Sequence, residues 1–404
     1  MTLPPHRPPS HPPRRVVVTG LGLLSSLALD RESTWAAMLE GRDGLGPLTR
    51  LSLPMEPAQV AGQVAMEPGR HQTLCECMAL KTLEEALEGH RFKGDPGRLG
   101  VFQGAGTSGL PVAEAYLETR LAGRRGRAAE PAYQSPCVIT DALARRLGAE
   151  GPRSTIMNAC SSSLLALGQA WERLASGELD AAVAGGAESL CRTTYAGFSC
   201  LKAVDSRKCR PFSRDRAGLN LGEGSVQVLL ETLEGARARG ATIYAEVLGY
   251  GASMDAHHAT APHPEGEGAA RAMAMALRMG GREAADVDLV SAHGTATPAN
   301  DGSECLAIRQ ALGAAAKTVS VTSTKSQFGH TLGSAGAFGA AAAILALRDQ
   351  VVSPTLRLED PDPACDLDCT PLQAKERQVR AALVNAFAFG GNNVSLLLAR
   401  WEGA

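Results

Sequence analysis

The 404-residue sequence predicts an α/β fold made of two related halves packed as one unit. Three observations predict it. The order strand, helix, strand, helix, strand, helix, strand, strand runs once before about residue 243 and again after it, which marks an internal duplication. Two helical stretches, one following Ser161 and one over 330–348, are unusually rich in small residues, so they pack closely between sheets. Glycine-rich turns also follow strands at equivalent places in both halves.

Taken in order, residues 1–13 (MTLPPHRPPSHPP) read as a disordered proline-rich tail, 14–243 as the N-terminal half and 244–404 as the C-terminal half. The apolar run 16–20 is a strand, and 32–39 and 78–87 have helical patterning. Residues 99–104 form a strand running into the turn GAGTSG. Residues 121–130, with Arg124, Arg125 and Arg127, are a surface loop or helix end, and 140–147 is a helix. The strand 155–158 runs into Cys160 and three serines. A helix then places Leu164, Leu167, Gly168, Trp171 and Leu174 on one face and stops at Ser176-Gly177. A strand at 181–185, a long polar loop at 207–224, a strand at 225–231 and a short helix at 233–239 close the first half. The second half repeats the plan, with no helix read between its second and third strands: strand 244–251, helix 268–279, strand 287–292, strand 318–323, small-residue helix 330–348, and closing strands 382–387 and 393–401.

Composition excludes several classes. Hydrophobic content is 44% and charged content 20%, the profile of a packed core with an ordinary surface. A net charge of −2 gives no global field for nucleic acid. No apolar run has the length of a membrane span, and the start lacks the apolar core of a secretory signal. The ten cysteines show no framework spacing. Cys75/Cys77 and Cys365/Cys369 are close pairs without partners at zinc spacing, so free thiols in a reducing cytoplasm and no metal are expected.

Chemistry concentrates at strand ends, where α/β enzymes place it. Cys160 stands where a strand gives way to a helix, and the helix N-terminus there is expected to favour the thiolate. His293 follows a buried strand directly. Lys325 and His330 precede the small-residue helix, and Gly390-Gly391 turn the chain between the last two strands. By the repeat, His330 holds in the second half the place that the Cys160 region holds in the first. Cys160, His293 and His330 are therefore expected to meet in one cleft.

These segments resemble the β-ketoacyl-acyl-carrier-protein synthases, the elongating branch with a Cys-His-His site, from about residue 15 to 401. The resemblance rests on NACSSS at Cys160, AHGTATPANDGSE at His293, TKSQFGH over 324–330 and FGGNN at Phe389. PFSRDRAGLNLGEG from Pro211 and SMDAHHATAPHPEG from Ser253 add to it. It implies the duplicated thiolase fold, layered αβαβα, and a decarboxylative Claisen condensation through an acyl-Cys160. In that scheme the N–H groups of Cys160 and Phe389 form the oxyanion hole. His293 and His330 support decarboxylation and Lys325 orients His330. Phe389, Gly390 and Gly391 gate the site, and Thr295 and Thr297 hold the pantetheine arm. No cofactor is implied beyond the phosphopantetheine of the substrate carrier. The expected partners are acyl carrier protein and either a second copy or a related chain-length subunit. Arg124, Arg125, Arg127, Arg207, Lys208 and Arg210 are candidates for docking the acidic carrier.

Three departures from the family pattern stand out: Gly339 where a Glu is frequent on the second central helix, AFGGNN in the gate turn, and Arg216-Ala217-Gly218-Leu219. The serine run after Cys160 is more similar to polyketide ketosynthases than to housekeeping fatty-acid enzymes. The rival reading is a non-catalytic chain-length subunit, although such chains typically lose the cysteine. A degradative thiolase would carry a cysteine in the C-terminal turn, and none is there.

Overall fold

A computed structural model describes residues 13–53, 59–69, 72–126 and 130–403. The expected tail lies outside the described residues except for Pro13, and so does Arg127. Ten strands join one sheet: β1 (Val16–Ser25), β2 (Leu99–Gly104), β3 (Arg153–Ile156), β4 (Ala181–Glu188), β5 (Gly224–Thr232), β6 (Ala245–Met254), β7 (Leu289–Ser291), β8 (Ser320–Thr322), β9 (Ala381–Ala388) and β10 (Asn392–Arg400). The sheet order is β8-β7-β9-β10-β6-β1-β5-β4-β2-β3. Read outward from the centre, β1-β5-β4-β2-β3 on one side repeats as β6-β10-β9-β7-β8 on the other. Each set has two antiparallel pairs followed by two parallel pairs. A short antiparallel stretch, Val16–Val18 against Ala245–Val247, pairs the sets at the centre of the sheet.

Strands β1, β4 and β5 are buried along their whole length, as sheets covered on both faces require. Helices Ser162–Ala175 and Ala335–Asp349 lie between the two five-strand sets and touch strands of both. The second is buried from Ala335 to Leu347, apolar all round as a helix enclosed by protein must be. A Cβ at Gly336 would lie 2.6 Å from Leu164 Cβ, so glycine is what lets these two helices meet. Leu74–Leu87 and Cys137–Leu147 cover the outer face of the first set. Glu267–Met279 covers that of the second, with Pro298–Leu312 packed on it. The layers are therefore αβαβα.

Four differences from the sequence expectation stand out. His330 is not helical: it pairs with Leu221 in an isolated bridge, a 3-10 turn follows at Leu332–Ser334, and the helix starts at Ala335. Leu110–Leu121, Arg192–Cys200 and Pro298–Leu312 are helices that no apolar stripe announced. The first buries no residue and the second only Tyr195. The buried face of the third includes Asn300, Asp301, Ser303 and Glu304, which hides its periodicity, although Thr297 caps it and Pro298 opens it. Among the described residues no helix is long and apolar enough to cross a membrane.

Candidate active site

Cys160 follows β3 on a tight turn. Ala159 takes a left-handed φ of 47°, an uncommon conformation for a residue with a Cβ. The serines of the motif brace this turn. Ser161 and Ser162 hydroxyls donate to the carbonyls of Asn158 (2.9 Å) and Ala159 (2.6 Å). Ser163 Oγ accepts the Ala337 N–H from the other central helix at 2.9 Å. The thiol is buried at 6% exposure, and its own N–H and that of Phe389 favour its charged form. Burial pushes it up to about 11; the Lys325 charge and those N–H groups pull the other way, and Glu188 adds to the rise. The expected lowering by the helix end is thus overturned by desolvation.

His293, beyond β7, has its N–H and that of Gly294 held by the two oxygens of Glu304, each at 2.8 Å. Its carbonyl accepts a short hydrogen bond from Lys325 Nζ, so the lysine expected to orient His330 bonds the backbone of His293 instead. His330 is pinned by its backbone: its N–H donates to Asn220 (2.7 Å) and its carbonyl accepts from Gly222 (3.0 Å). The two rings lie 5.4 Å apart and nearly perpendicular. Burial first, then the Lys325 charge, holds both imidazoles well below their usual range, so both are neutral at pH 7. Burial likewise lowers Lys325 to about 8, with Glu304 foremost among the charges opposing it.

A thiol sulfur and one nitrogen from each histidine lie within 4.8 Å of one another. That spacing suits a metal ion, but the surroundings do not. His330 Nδ1 accepts the Leu332 N–H at 3.2 Å, which puts the ring proton on Nε2, where an ion would need a lone pair. The nearby Lys325 charge disfavours a cation further. The same bond makes His330 Nε2–H a fixed donor toward the cleft.

These residues line a cavity of about 250 Å³ together with Phe387 and Phe389. Phe389 stacks on Phe198, centroids 5.4 Å apart. The turn behind it has left-handed φ at Gly390 (84°) and Gly391 (76°). Asn392 Nδ2 donates to Phe389 O at 3.2 Å, and Gly390 N–H to Ala259 O at 2.7 Å. The asparagine that departs from the family pattern therefore ties the turn down. Thr295 and Thr297 line the same cavity and share a hydroxyl contact of 2.9 Å. Gly339 lies beside Ser291: a Cβ there would sit 3.1 Å from Ser291 Oγ and 3.0 Å from Val384 Cγ1.

Of the six basic candidates for docking, Arg124 and Arg125 are exposed without an ion pair among the described residues. Arg207 pairs with Asp215 and Lys208 with Asp43 at the surface. Arg210 is a correction: it is 9% exposed and bonded to Asp205 and Asp215, so it staples its own loop. The buried carboxylates Asp301 and Glu304 were not singled out from sequence. Asp301 accepts the N–H groups of Phe212 (2.7 Å) and Ala296 (3.1 Å). The available signal was two acids three residues apart in the first turns of a helix that follows a histidine.

Residues 13–236 match the N-terminal domain of β-ketoacyl synthases and residues 244–359 the C-terminal domain. The chain belongs to the β-ketoacyl synthase family. The synthase is 38% identical over 414 residues to a 3-oxoacyl-[acyl-carrier-protein] synthase 2 of Synechocystis, covering 96% of this chain and 99% of that one. It is 35% identical over 410 residues to the protein of that name in Staphylococcus aureus, with the same coverage. Among solved structures, a chain of the ishigamide ketosynthase/chain length factor superposes with a TM-score of 0.90 at 34% identity, covering 96% of this synthase and 100% of that chain. The ketosynthase ApeO in complex with its chain length factor ApeC from Xenorhabdus doucetiae gives 0.85 at 30%, covering 96% and 98%.

Proposed function

We propose that the chain is a β-ketoacyl-acyl-carrier-protein synthase, condensing an acyl thioester with malonyl-acyl-carrier protein. The observation that carries this reading is a buried thiol whose sulfur and one nitrogen from each of two neutral imidazoles lie within 4.8 Å of one another in a cavity that Phe389 also lines. Cys160 Sγ attacks the thioester carbonyl, whose oxygen gains charge against the N–H groups of Cys160 and Phe389. The thiol proton leaves with the pantetheine sulfur. Malonyl carrier then places its thioester oxygen at His330 Nε2–H and at His293. Neutral rings matter here, because an imidazolium would stabilise the carboxylate that has to leave as CO2. The resulting enolate carbon attacks the acyl-Cys160 carbonyl, the C–S bond breaks, and the sulfur regains a proton from solvent. Decarboxylation supplies the carbanion, so no cofactor is needed. Lys325 acts by holding the His293 carbonyl and by adding its charge to the burial that keeps both rings uncharged. Thr295 and Thr297 hold the pantetheine arm, and Phe389 with Gly390 and Gly391 gates the cleft.

The assembly follows the same reading: a cytoplasmic enzyme of two halves, 14–243 and 244–404, paired with a second copy or a related chain-length subunit. Arg124, Arg125, Arg207 and Lys208 receive the acidic carrier. The ketosynthase neighbours and the serine run favour a polyketide or other specialised acyl chain. Intact mass after incubation with a panel of acyl-carrier thioesters, then with malonyl carrier, is the test. A mass gain on Cys160 that disappears as a longer β-ketoacyl carrier forms, and is absent in Cys160→Ala, is expected. Acylation surviving in Cys160→Ala overturns the nucleophile. No acylation across the panel, with a related chain co-purifying, supports the non-catalytic subunit instead.

A further inference from the structure

Glu188, the last residue of β4, is fully buried and has no cationic partner among the described residues. Its carboxylate is not idle. Oε1 accepts a short bond from the Gly106 N–H, and Oε2 accepts the Thr107 N–H at 2.9 Å and a short bond from the Thr107 hydroxyl. The Ser108 N–H also favours its charged form. These donors belong to the loop after β2, where Ser108 takes a left-handed φ of 47°.

That loop touches both sides of the site. On one side Ala105 O accepts from Ser162 Oγ at 3.4 Å, in the turn that carries Cys160. On the other, a Cβ at Gly333 would lie 2.7 Å from Glu188 Oε1 and 2.7 Å from Gly106 N. The backbone three residues after His330 therefore rests directly on the carboxylate and its loop. The duplication supplies an independent argument. β2 in the first set corresponds to β7 in the second, and the loop after β7 is held in the same manner, by Glu304 accepting the successive N–H groups of His293 and Gly294.

We infer that Glu188 is a positioning residue for the condensation: by gathering the N–H groups of the 106–108 loop it sets the seat on which the Cys160 turn and the His330–Ser334 segment meet. This rests on the synthase reading for its kinetic consequence, not for its geometry. The titratable groups that face Glu188 are the thiols Cys75, Cys160 and Cys191, each pushed up by burial first and further by this carboxylate, and all uncharged at neutral pH. Burial pushes Glu188 itself up to about 7, against its donors. Above that pH it is an acceptor for every surrounding N–H. Below it, the added proton occupies an acceptor site and sets a donor against the N–H groups, so the seat loosens as pH falls. The two active-site histidines protonate only at lower pH and Lys325 titrates higher, at about 8, so a loss of activity as pH falls through about 7 belongs to Glu188.

The test measures condensation kcat and KM, and the rate of Cys160 alkylation by iodoacetamide, from pH 5.5 to 9 in wild type, Glu188→Gln and Glu188→Asp. Wild type should lose kcat below about pH 7 and show a break in the alkylation profile there. Glu188→Gln should lose both features, with kcat at pH 8 down about tenfold and KM for malonyl carrier within about twofold. Glu188→Asp, which restores the charge, should bring back the limb with intermediate kcat. A folded Glu188→Gln that keeps the wild-type limb and break overturns the inference. If that variant does not fold, Glu188→Asp decides, and wild-type kcat with an unmoved limb overturns it. If wild type does not condense at all, the synthase reading fails and the alkylation profiles alone decide the role of Glu188.

Discussion

Lys325 has a charge that reaches both histidines and a side chain that bonds only the His293 carbonyl among the described residues. Removing it therefore acts through the rings. In Lys325→Met both imidazoles should titrate higher than in wild type, since the nearby cation that opposes their protonation is gone. Condensation at pH 6 should then fall more steeply than at pH 8, by about tenfold against a few-fold, because imidazolium stabilises the malonyl carboxylate. Histidine ring-proton NMR titration and paired kcat values check this, and unchanged ring titrations would refute the role given to Lys325. At this scale the sequence named the groups that the structure brings together but misjudged the ionisation of Cys160. Cys160 was expected to favour its thiolate from local helix position, whereas burial dominates and comes from residues far away in the chain.

The elements hold those residues through close backbone contacts. A Cβ at Gly104, the end of β2, would lie 2.2 Å from Ser163 N and 2.5 Å from its Cα, in the first turn of the helix behind Cys160. Backbone cannot yield as a side-chain tip does. Gly104→Ala should therefore cost about 3 kcal/mol, read as a lower denaturation midpoint, and should slow acylation of Cys160. Wild-type stability in that variant would mean the helix can move away without consequence. Strands and the two central helices were legible because apolar runs and small-residue runs mark enclosed elements. The helix Pro298–Leu312 was not, because its buried face carries Asp301 and Glu304, whose partners are backbone N–H groups of loops rather than apolar side chains. His330 was placed in a helix because its neighbours are small; a bridge to Leu221, 109 positions earlier in the chain, holds it extended.

The whole molecule is stitched across its two strand sets. Ser163 Oγ accepts the Ala337 N–H, and Trp35 Nε1 donates to Asp349 at 2.8 Å. Because both central helices pack on both sets, the described chain should unfold as one unit. Tryptophan fluorescence and far-UV circular dichroism should give coincident transitions, and two separated transitions would show that the halves are independent. Ser163→Ala, which leaves a buried N–H without its acceptor, should lower stability by about 2 kcal/mol without splitting the transition. The residues by themselves determined the repeat, the strand-end placement of Cys160, His293, Lys325 and His330, and the family resemblance, because apolar periodicity and short motifs are local properties of the chain. Only the tertiary structure decided that the histidines are neutral, that Arg210 is an internal staple, and that Glu188 and Glu304 clamp matching loops. Those depend on burial and on partners distant in sequence, and neither desolvation nor a long-range hydrogen bond leaves a local pattern.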